Sequence, residues 1–330
     1  MVNEEKLIAF GPVPSRRLGQ SLGINNIPPK ICTYSCIYCQ LGRTNNQIVQ
    51  RKPFYKPKEI KQAVDKKIKE AKEQREKTEY LTFVPDGEPT LDIYLGKEIE
   101  ILKTLNIRIA VITNASLLSK KDVQEDLSNA DCVSLKIDTV NKKSWKKINR
   151  PHRSLNISRI LSASSDFSRD FQGELITETM LIKNINDNTQ ELEMIADFIE
   201  RLVPKKSYIS IPTRPPAEKW ATPADEFDIN SAYQVLNERG IDAEFLTGYE
   251  GNAFAYTGNV EEDLLSITSV HSMREEGVNN FLLKAKADWN IIDKLISDGK
   301  LVEVEYKGKK FYMRKLPGKY HVDAGGENKG

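Results

Sequence analysis

Apolar residues recur along this chain with two different periods. Short β-rich runs over residues 21–25, 80–84, 108–113, 132–137, 175–182 and 208–212 predict six strands. Helical stripes fall between them. Within 57–77, Ile60, Ala63, Val64, Ile68 and Ala71 share one face, with Lys and Glu on the others. Residues 189–202 repeat the pattern through Leu192, Ile195, Ala196, Ile199 and Leu202, and Asn188 with Glu191 resembles a capping box at the start. Weaker stripes predict helices over 96–105, 120–127, 141–148, 157–167 and 224–239.

Strand–helix alternation calls for parallel strands joined by helical crossovers. Six units are too few for a closed eight-unit barrel, so the expected fold class is α/β, a partial (β/α)6 TIM-like barrel. Its functional loops belong at the C-terminal ends of the strands. After about residue 255 the pattern changes. Three short helices are predicted over 261–270, 278–286 and 288–298, followed by a hairpin in which 301–306 and 310–314 flank Lys307-Gly308-Lys309. That combination predicts a winged-helix-like module. The expected organisation is a core over 1–250, the module over 256–320 and a disordered, Gly-rich tail over 321–330.

Composition narrows the functional classes. The chain has 330 residues, of which 39% are hydrophobic and 29% charged, with a net charge of +2. No apolar run approaches the roughly 20 residues needed to cross a bilayer. The polar, acidic start, Met1-Val2-Asn3-Glu4-Glu5-Lys6, is unlike a signal peptide, so a cytoplasmic location and no membrane partner are expected. Balanced charge gives no general pull toward nucleic acid.

The four cysteines are unevenly placed. Cys32, Cys36 and Cys39 lie in one loop as C-x3-C-x2-C, and Cys132 stands far away. A disulfide framework would spread its cysteines, so the cluster reads as a metal site. Three thiolates on a four-iron cluster leave one iron open to a small molecule. The other readings are a zinc site lacking its fourth ligand, or three incidental cysteines. The histidines, His152, His271 and His321, are all remote in sequence.

With Tyr38 just before the last cysteine, this loop resembles that of the radical S-adenosylmethionine (SAM) superfamily. Asp86-Gly87-Glu88-Pro89, directly after a predicted strand, resembles the Gly-Gly-Glu-Pro element of that superfamily, with Asp86 in the first position. The segment Gly11-Pro-Val-Pro-Ser-Arg16-Arg17-Leu-Gly19, the continuation Cys39-Gln40-Leu41-Gly42-Arg43-Thr44 and Pro212-Thr-Arg214-Pro215-Pro216 look like an Fe-S oxidoreductase family within it, loosely related to wyosine-tRNA and nitrogenase-cofactor biosynthesis enzymes. The resemblance implies a [4Fe-4S] cluster on the three cysteines and SAM on its open iron. Reduction then yields a 5′-deoxyadenosyl radical that abstracts hydrogen from a substrate the resemblance does not identify. It also implies that Tyr38 lies near the adenine and that Gly87, Glu88 and Pro89 grip the SAM amino group. Thr113, Asn114, Ser134, Lys136 and Asp138 fall to its ribose and carboxylate, and Ile182 and Asn184 flank the adenine. The electron would come from a reductant such as flavodoxin or ferredoxin.

A second cluster would need about three or four more thiolates, and only Cys132 remains, which reads as a small buried hydrophobe. One cluster is therefore expected. Arg214, just after a predicted strand, and His152 are candidate substrate ligands among several basic residues near the mouth. The C-terminal hairpin carries Lys307, Lys309, Lys310, Arg314 and Lys315, nearly offset by Asp293, Asp298, Glu303 and Glu305. Nucleic acid, a peptide, or a lid role on the barrel all fit it. Two further functions stay open at this point: modification of RNA, and a non-enzymatic Fe-S redox-sensing regulator that uses the winged helix.

Overall fold

The computed structural model describes residues 8–246, 254–270 and 272–315. The predicted tail over 321–330 lies outside the described residues. In chain order the first part contains β1 (Ala9–Ser15), β2 (Gly19–Ile24), the two-residue strands β3 (Ile31–Cys32) and β4 (Asn46–Gln47), α1 (Pro57–Glu73), β5 (Tyr80–Phe83), α2 (Leu95–Lys103) and β6 (Arg108–Thr113). There follow α3 (Lys121–Leu127), β7 (Cys132–Lys136), α4 (Lys142–Ile148), α5 (Ile157–Asp170), β8 (Glu174–Met180), α6 (Thr189–Leu202), β9 (Lys206–Ser210), α7 (Glu226–Glu238) and β10 (Ala243–Leu246).

Eight strands form one curled sheet in the order β1-β2-β5-β6-β7-β8-β9-β10. From β2 to β10 every pairing is parallel, and β1 is antiparallel at the edge. This is the expected open barrel, two strands wider than the sequence pattern indicates. The reasons are local. β1 reads Ala-Phe-Gly-Pro-Val-Pro-Ser, and its prolines mark it as a loop. An edge strand tolerates them because its outer donors need no partner. β10 has four residues, too few to show a period.

Alternation along the strands separates two cores. Ile109, Val111, Val133, Leu135 and Leu175 point to the helices and are buried with Ile60 and Val64 of α1. Ala110, Cys132, Ile176, Tyr208 and Leu246 point into the barrel. Cys132 is 2% exposed there, and burial pushes its thiol up to about 12, as suits a small buried hydrophobe. At the start of α6 the Asn188 side chain accepts from the Glu191 amide at 3.1 Å. The Glu191 carboxylate does not return the bond to Asn188. It takes Thr139 at 2.7 Å and Ser144 at 2.6 Å, so half of the predicted box is spent on tying α6 to the β7–α4 loop and to α4 itself.

The C-terminal part contains α8 (Val260–Val270), β11 (Met273–Arg274), α9 (Glu275–Ala285), α10 (Asn290–Ser297), β12 (Leu301–Tyr306) and β13 (Lys309–Arg314). Its strands form a separate antiparallel sheet, β11-β13-β12. Phe254, Leu264, Phe281, Ile292, Leu301 and Tyr312 fill its own core. Several ties hold it to the barrel, among them the Ala255 amide donating to the Pro12 carbonyl at 3.1 Å and an ion pair of Lys284 with Glu76. Tyr306 donates to the Pro212 carbonyl at 3.3 Å. Lys67 of α1, 5% exposed, reaches Asp263 at 3.4 Å and Glu262 at 3.3 Å, with Glu70 at 3.0 Å from its own helix. Burial would lower the Lys67 pKa, but these carboxylates outweigh it and raise it.

Removing one member of a buried ion pair strands the other. Lys67→Met is therefore expected to cost about 3 kcal/mol, read as a lower urea midpoint, and adding Asp263→Asn is expected to recover part of it. An unchanged midpoint in the single variant would contradict this role.

Candidate active site

The cysteine loop sits beyond the C-terminal end of β2 and has little regular structure of its own beyond β3, so other segments must hold its shape. Ser35 N donates to the Asn149 carbonyl at 3.0 Å and Ile37 N to Ile148 at 2.9 Å. On the other side Lys30 N donates to the Asp86 carbonyl at 2.6 Å, and Glu88 N to Ile31 at 3.2 Å. Two side-chain amides aim at sulfur: Asn114 Nδ2 lies 3.6 Å from Cys32 Sγ, and Asn149 Nδ2 lies 3.5 Å from Cys36 Sγ. The Tyr34 amide is a second donor to Cys32 at 3.5 Å.

Burial pushes the Cys32 thiol well above the usual thiol range and lifts Cys36 to about 12, and it raises Cys39 as well. Such thiols become thiolates when a metal centre supplies the compensating charge. The N–H donors on sulfur are the outer support that metal thiolates use. Among the described residues, no three His, Cys, Asp or Glu side chains converge as the shell of a single ion would. Three thiols in one loop with N–H donors on sulfur are a donor set that fits an iron–sulfur cluster.

Glu88 is 1% exposed and makes four contacts: Thr90 N at 3.1 Å, Thr90 Oγ1 at 2.7 Å, Thr113 Oγ1 at 2.6 Å and Asn114 N at 2.8 Å. Burial raises its pKa, while these hydrogen bonds oppose the rise. Glu88 thus joins the turn after β5 to the end of β6, and it orients Asn114 toward Cys32. Asp86, two residues earlier, is also buried, yet its Oδ1 has no hydrogen-bond partner. Burial pushes Asp86 up to about 8 against the pull of Arg314 and Lys30.

A second hub lies across the opening. Asp138 accepts from Tyr38 Oη at 2.5 Å, Asn149 Nδ2 at 2.7 Å and the Met180 amide at 3.0 Å. Lys136 Nζ stands 2.8 Å from Glu178, 3.6 Å from Asp138 and 5.1 Å above the Tyr38 ring. Glu178 also pairs with Arg17 and accepts from Ser210 at 2.9 Å. Burial alone would lift Glu178, but Arg17 and Lys136 hold it at about 2. These groups surround a cavity of about 320 Å³ lined by Arg17, Tyr38, Cys39, Gln40, Lys136, Glu178, Ser210 and Arg214 among others.

The residues singled out from sequence fall into three groups. Tyr38, Lys136 and Arg214 line the cavity, with Arg214 bonded to Gln40 at 3.0 Å. Gly87, Glu88, Pro89, Thr113, Asn114 and Asp138 brace the cysteine loop or its surroundings, while Ser134 is buried on β7 with an unpartnered Oγ. Ile182 packs with Ile37, Ile148 and Ala221 beneath the loop. Asn184 and His152 are not in the cavity lining: Asn184 sits in an exposed turn at φ 60°, and the His152 ring bonds locally to Ser154 at 2.8 Å. Sequence reasoning missed Glu178, Asn149 and Gln40. Glu178 left one signal, an acid in the middle of a buried strand, which is costly unless paired. Asn149 left none, because its partners are distant in sequence.

The sequence profile of the radical SAM superfamily matches residues 26–199, more than half of the chain. The chain belongs to the radical SAM superfamily. It is 48% identical over 311 residues to a UPF0026 protein of Methanocaldococcus jannaschii, covering 94% of this chain and 96% of that one. A UPF0026 protein of Helicobacter pylori strain J99 is 33% identical over 222 residues, which span 66% of this chain and 70% of that one. In fold the chain is similar to TYW1 solved with a lysine–pyruvate adduct, with a TM-score of 0.53 at 16% identity over 67% of this chain and 75% of that one. Radical SAM membership implies an iron–sulfur cluster and SAM, and it makes the chain an enzyme, whose reaction is not specified by membership. No helix among the described residues is long and apolar enough to cross a membrane.

Two substitutions probe this geometry. A Cβ on Gly87 would lie 1.9 Å from the Ile31 carbonyl oxygen and 2.8 Å from Ile27 Cδ1. Gly87→Ala is thus expected to displace the cysteine loop and to lower both melting temperature and bound iron; normal iron content would contradict the contact. Glu178→Gln strands Arg17 and Lys136 at an expected cost of about 3 kcal/mol at neutral pH. The folded pKa of Glu178, about 2, lies below its ordinary 4.5, so its contribution is complete above the ordinary value and fades as pH falls toward 2. Urea titrations should therefore show the variant converging on the wild type only at strongly acidic pH.

Proposed function

We propose that Cys32, Cys36 and Cys39 hold one [4Fe-4S] cluster and that this radical SAM enzyme abstracts hydrogen from a substrate in the cavity beside it. The observation that carries the reading is a three-thiol loop braced by Asn114 and Asn149 and open toward Tyr38, Lys136 and Arg214. When bound, the cluster and SAM together supply an electron and a 5′-deoxyadenosyl radical.

The protein's part is to bind, orient and shield. The unpartnered Asp86 oxygen and the backbone of Gly87, Glu88 and Pro89 offer acceptors for the SAM ammonium. Glu88 itself, with both oxygens engaged, acts by positioning Thr113 and Asn114. In this reading Ser134 and Lys136 take the ribose and carboxylate, and Tyr38, whose hydroxyl donates to Asp138, takes the adenine. Ile182 supports the Tyr38 ring from below, while Asn184, exposed in its turn, stands outside the lining. Arg214 sets a guanidinium at the cavity wall, while Arg17 is paired there with Glu178. The chain divides into a core over 1–250 and a winged-helix-like module over 256–320 in this reading. The electron donor is a flavodoxin or ferredoxin. An RNA substrate gains little from the hairpin, where Lys310 is paired with Glu303 at 3.1 Å.

Anaerobic reconstitution tests the reading. It should give about four irons per chain, and dithionite with SAM should yield methionine and 5′-deoxyadenosine. Cys36→Ala should yield neither. Iron near twice that amount would contradict a single cluster, and product from the Cys36 variant would contradict the ligand assignment.

A further inference from the structure

A second cleft, of about 740 Å³, lies between the barrel mouth and the C-terminal hairpin. One wall is made by alternate residues of β12, Val302, Val304 and Tyr306, with Met313 directly across from Val302 in the ladder. These residues share one sheet face and are not used by the core of the module, except that Met313 is itself buried. The facing wall carries Pro215 and Pro216, which follow Arg214. The charged lining is unbalanced: Lys30, Arg43, Lys219 and Lys307 stand against Glu305. Arg43 is already neutralised by Glu218 at 2.8 Å and Lys30 faces the Asp86 carboxylate, which leaves Lys219 and Lys307 as the cations of the cleft.

The cleft is joined to the inner cavity. Gln40 lines both, and its side chain holds Arg214 at the inner rim. Tyr306 pins the hairpin to Pro212, which lines the inner cavity. The inner cavity, about 320 Å³, is at the small end of ligand pockets, whereas the cleft falls well within their range. A ligand as large as SAM leaves little room in the former for a second molecule. A hairpin that reads nucleic acid presents positive charge outward. This one turns an apolar face inward toward the site.

We propose that this cleft binds the body of the substrate, a small organic anion with an apolar skeleton, whose reactive end enters the inner cavity past Gln40 and Arg214. The inference rests on the catalytic reading above. The β12 face carries the skeleton, and Lys307 and Lys219 select the anionic group.

The test uses the whole protein and two fluorescent dyes, the anionic anilinonaphthalene sulfonate and the neutral N-phenylnaphthylamine. One saturable site per chain is expected, with the anionic dye bound about tenfold more tightly, equivalent to about 1.4 kcal/mol. Val304→Asp and Lys307→Gln should each weaken the anionic dye about tenfold while melting temperature and substrate-free SAM cleavage stay at wild-type values. Lys307→Gln, on an exposed turn, keeps the test valid if Val304→Asp fails to fold. Equal affinity for the two dyes, insensitivity to Lys307→Gln, or displacement of the dye by transfer RNA or by an acidic peptide would each overturn the proposal. Dye binding without SAM cleavage would instead count against the catalytic reading and leave the cleft standing.

Discussion

The contact between two loops governs the mouth of this barrel. The loop after β2 must present three sulfurs within eight residues and cannot set its own shape. The turn after β5 sets one side of it, because Gly87 lets the two backbones approach to a distance that no side chain permits. Glu88 then converts that approach into a fixed geometry. Its buried carboxylate takes donors from its own turn and from the end of β6, so the second and third parallel strands are locked together at their C-terminal ends. An unsatisfied carboxylate in that position would be costly, which makes the arrangement close to all-or-none.

The other side of the loop depends on charge. Asp138 gathers Tyr38, Asn149 and the Met180 amide, and Lys136 spans from Asp138 to Glu178. Arg17, from the turn between β1 and β2, completes the set at Glu178. The network runs along the inner cavity, which Arg17, Tyr38, Lys136, Glu178 and Met180 line. It holds two cations and two carboxylates in a partly dry site without large net charge, which leaves polar groups in place for a charged ligand. The edge hairpin of β1 and β2 thereby contributes to the site as well as to the sheet.

Much of this was legible in the amino-acid sequence, and the limits have physical causes. Six strands and the helices between them follow from hydrophobic period alone, since each helix buries one stripe against the sheet. β1 and β10 escape because prolines and short length erase the period. The cysteine loop was legible because its ligands are adjacent in sequence. Asn149 and Glu178 were not, because their roles come from distant partners that only folding brings near. Glu88 was recognised by its motif, but its use was not: the sequence offers it as a ligand-facing acid, and the fold spends both of its oxygens inward. The Asp86 Oδ1, by contrast, is buried without a hydrogen-bond partner.

The central claim is that three thiols leave one iron of a cluster open to SAM. Electron paramagnetic resonance of the reduced, reconstituted protein tests it most directly. The account predicts a cluster signal whose g-values shift when SAM is added, and a smaller shift for the Asp86→Asn variant at low SAM. A signal indifferent to SAM at saturating concentration would contradict it, because a fully ligated cluster has no site for the nucleotide to occupy.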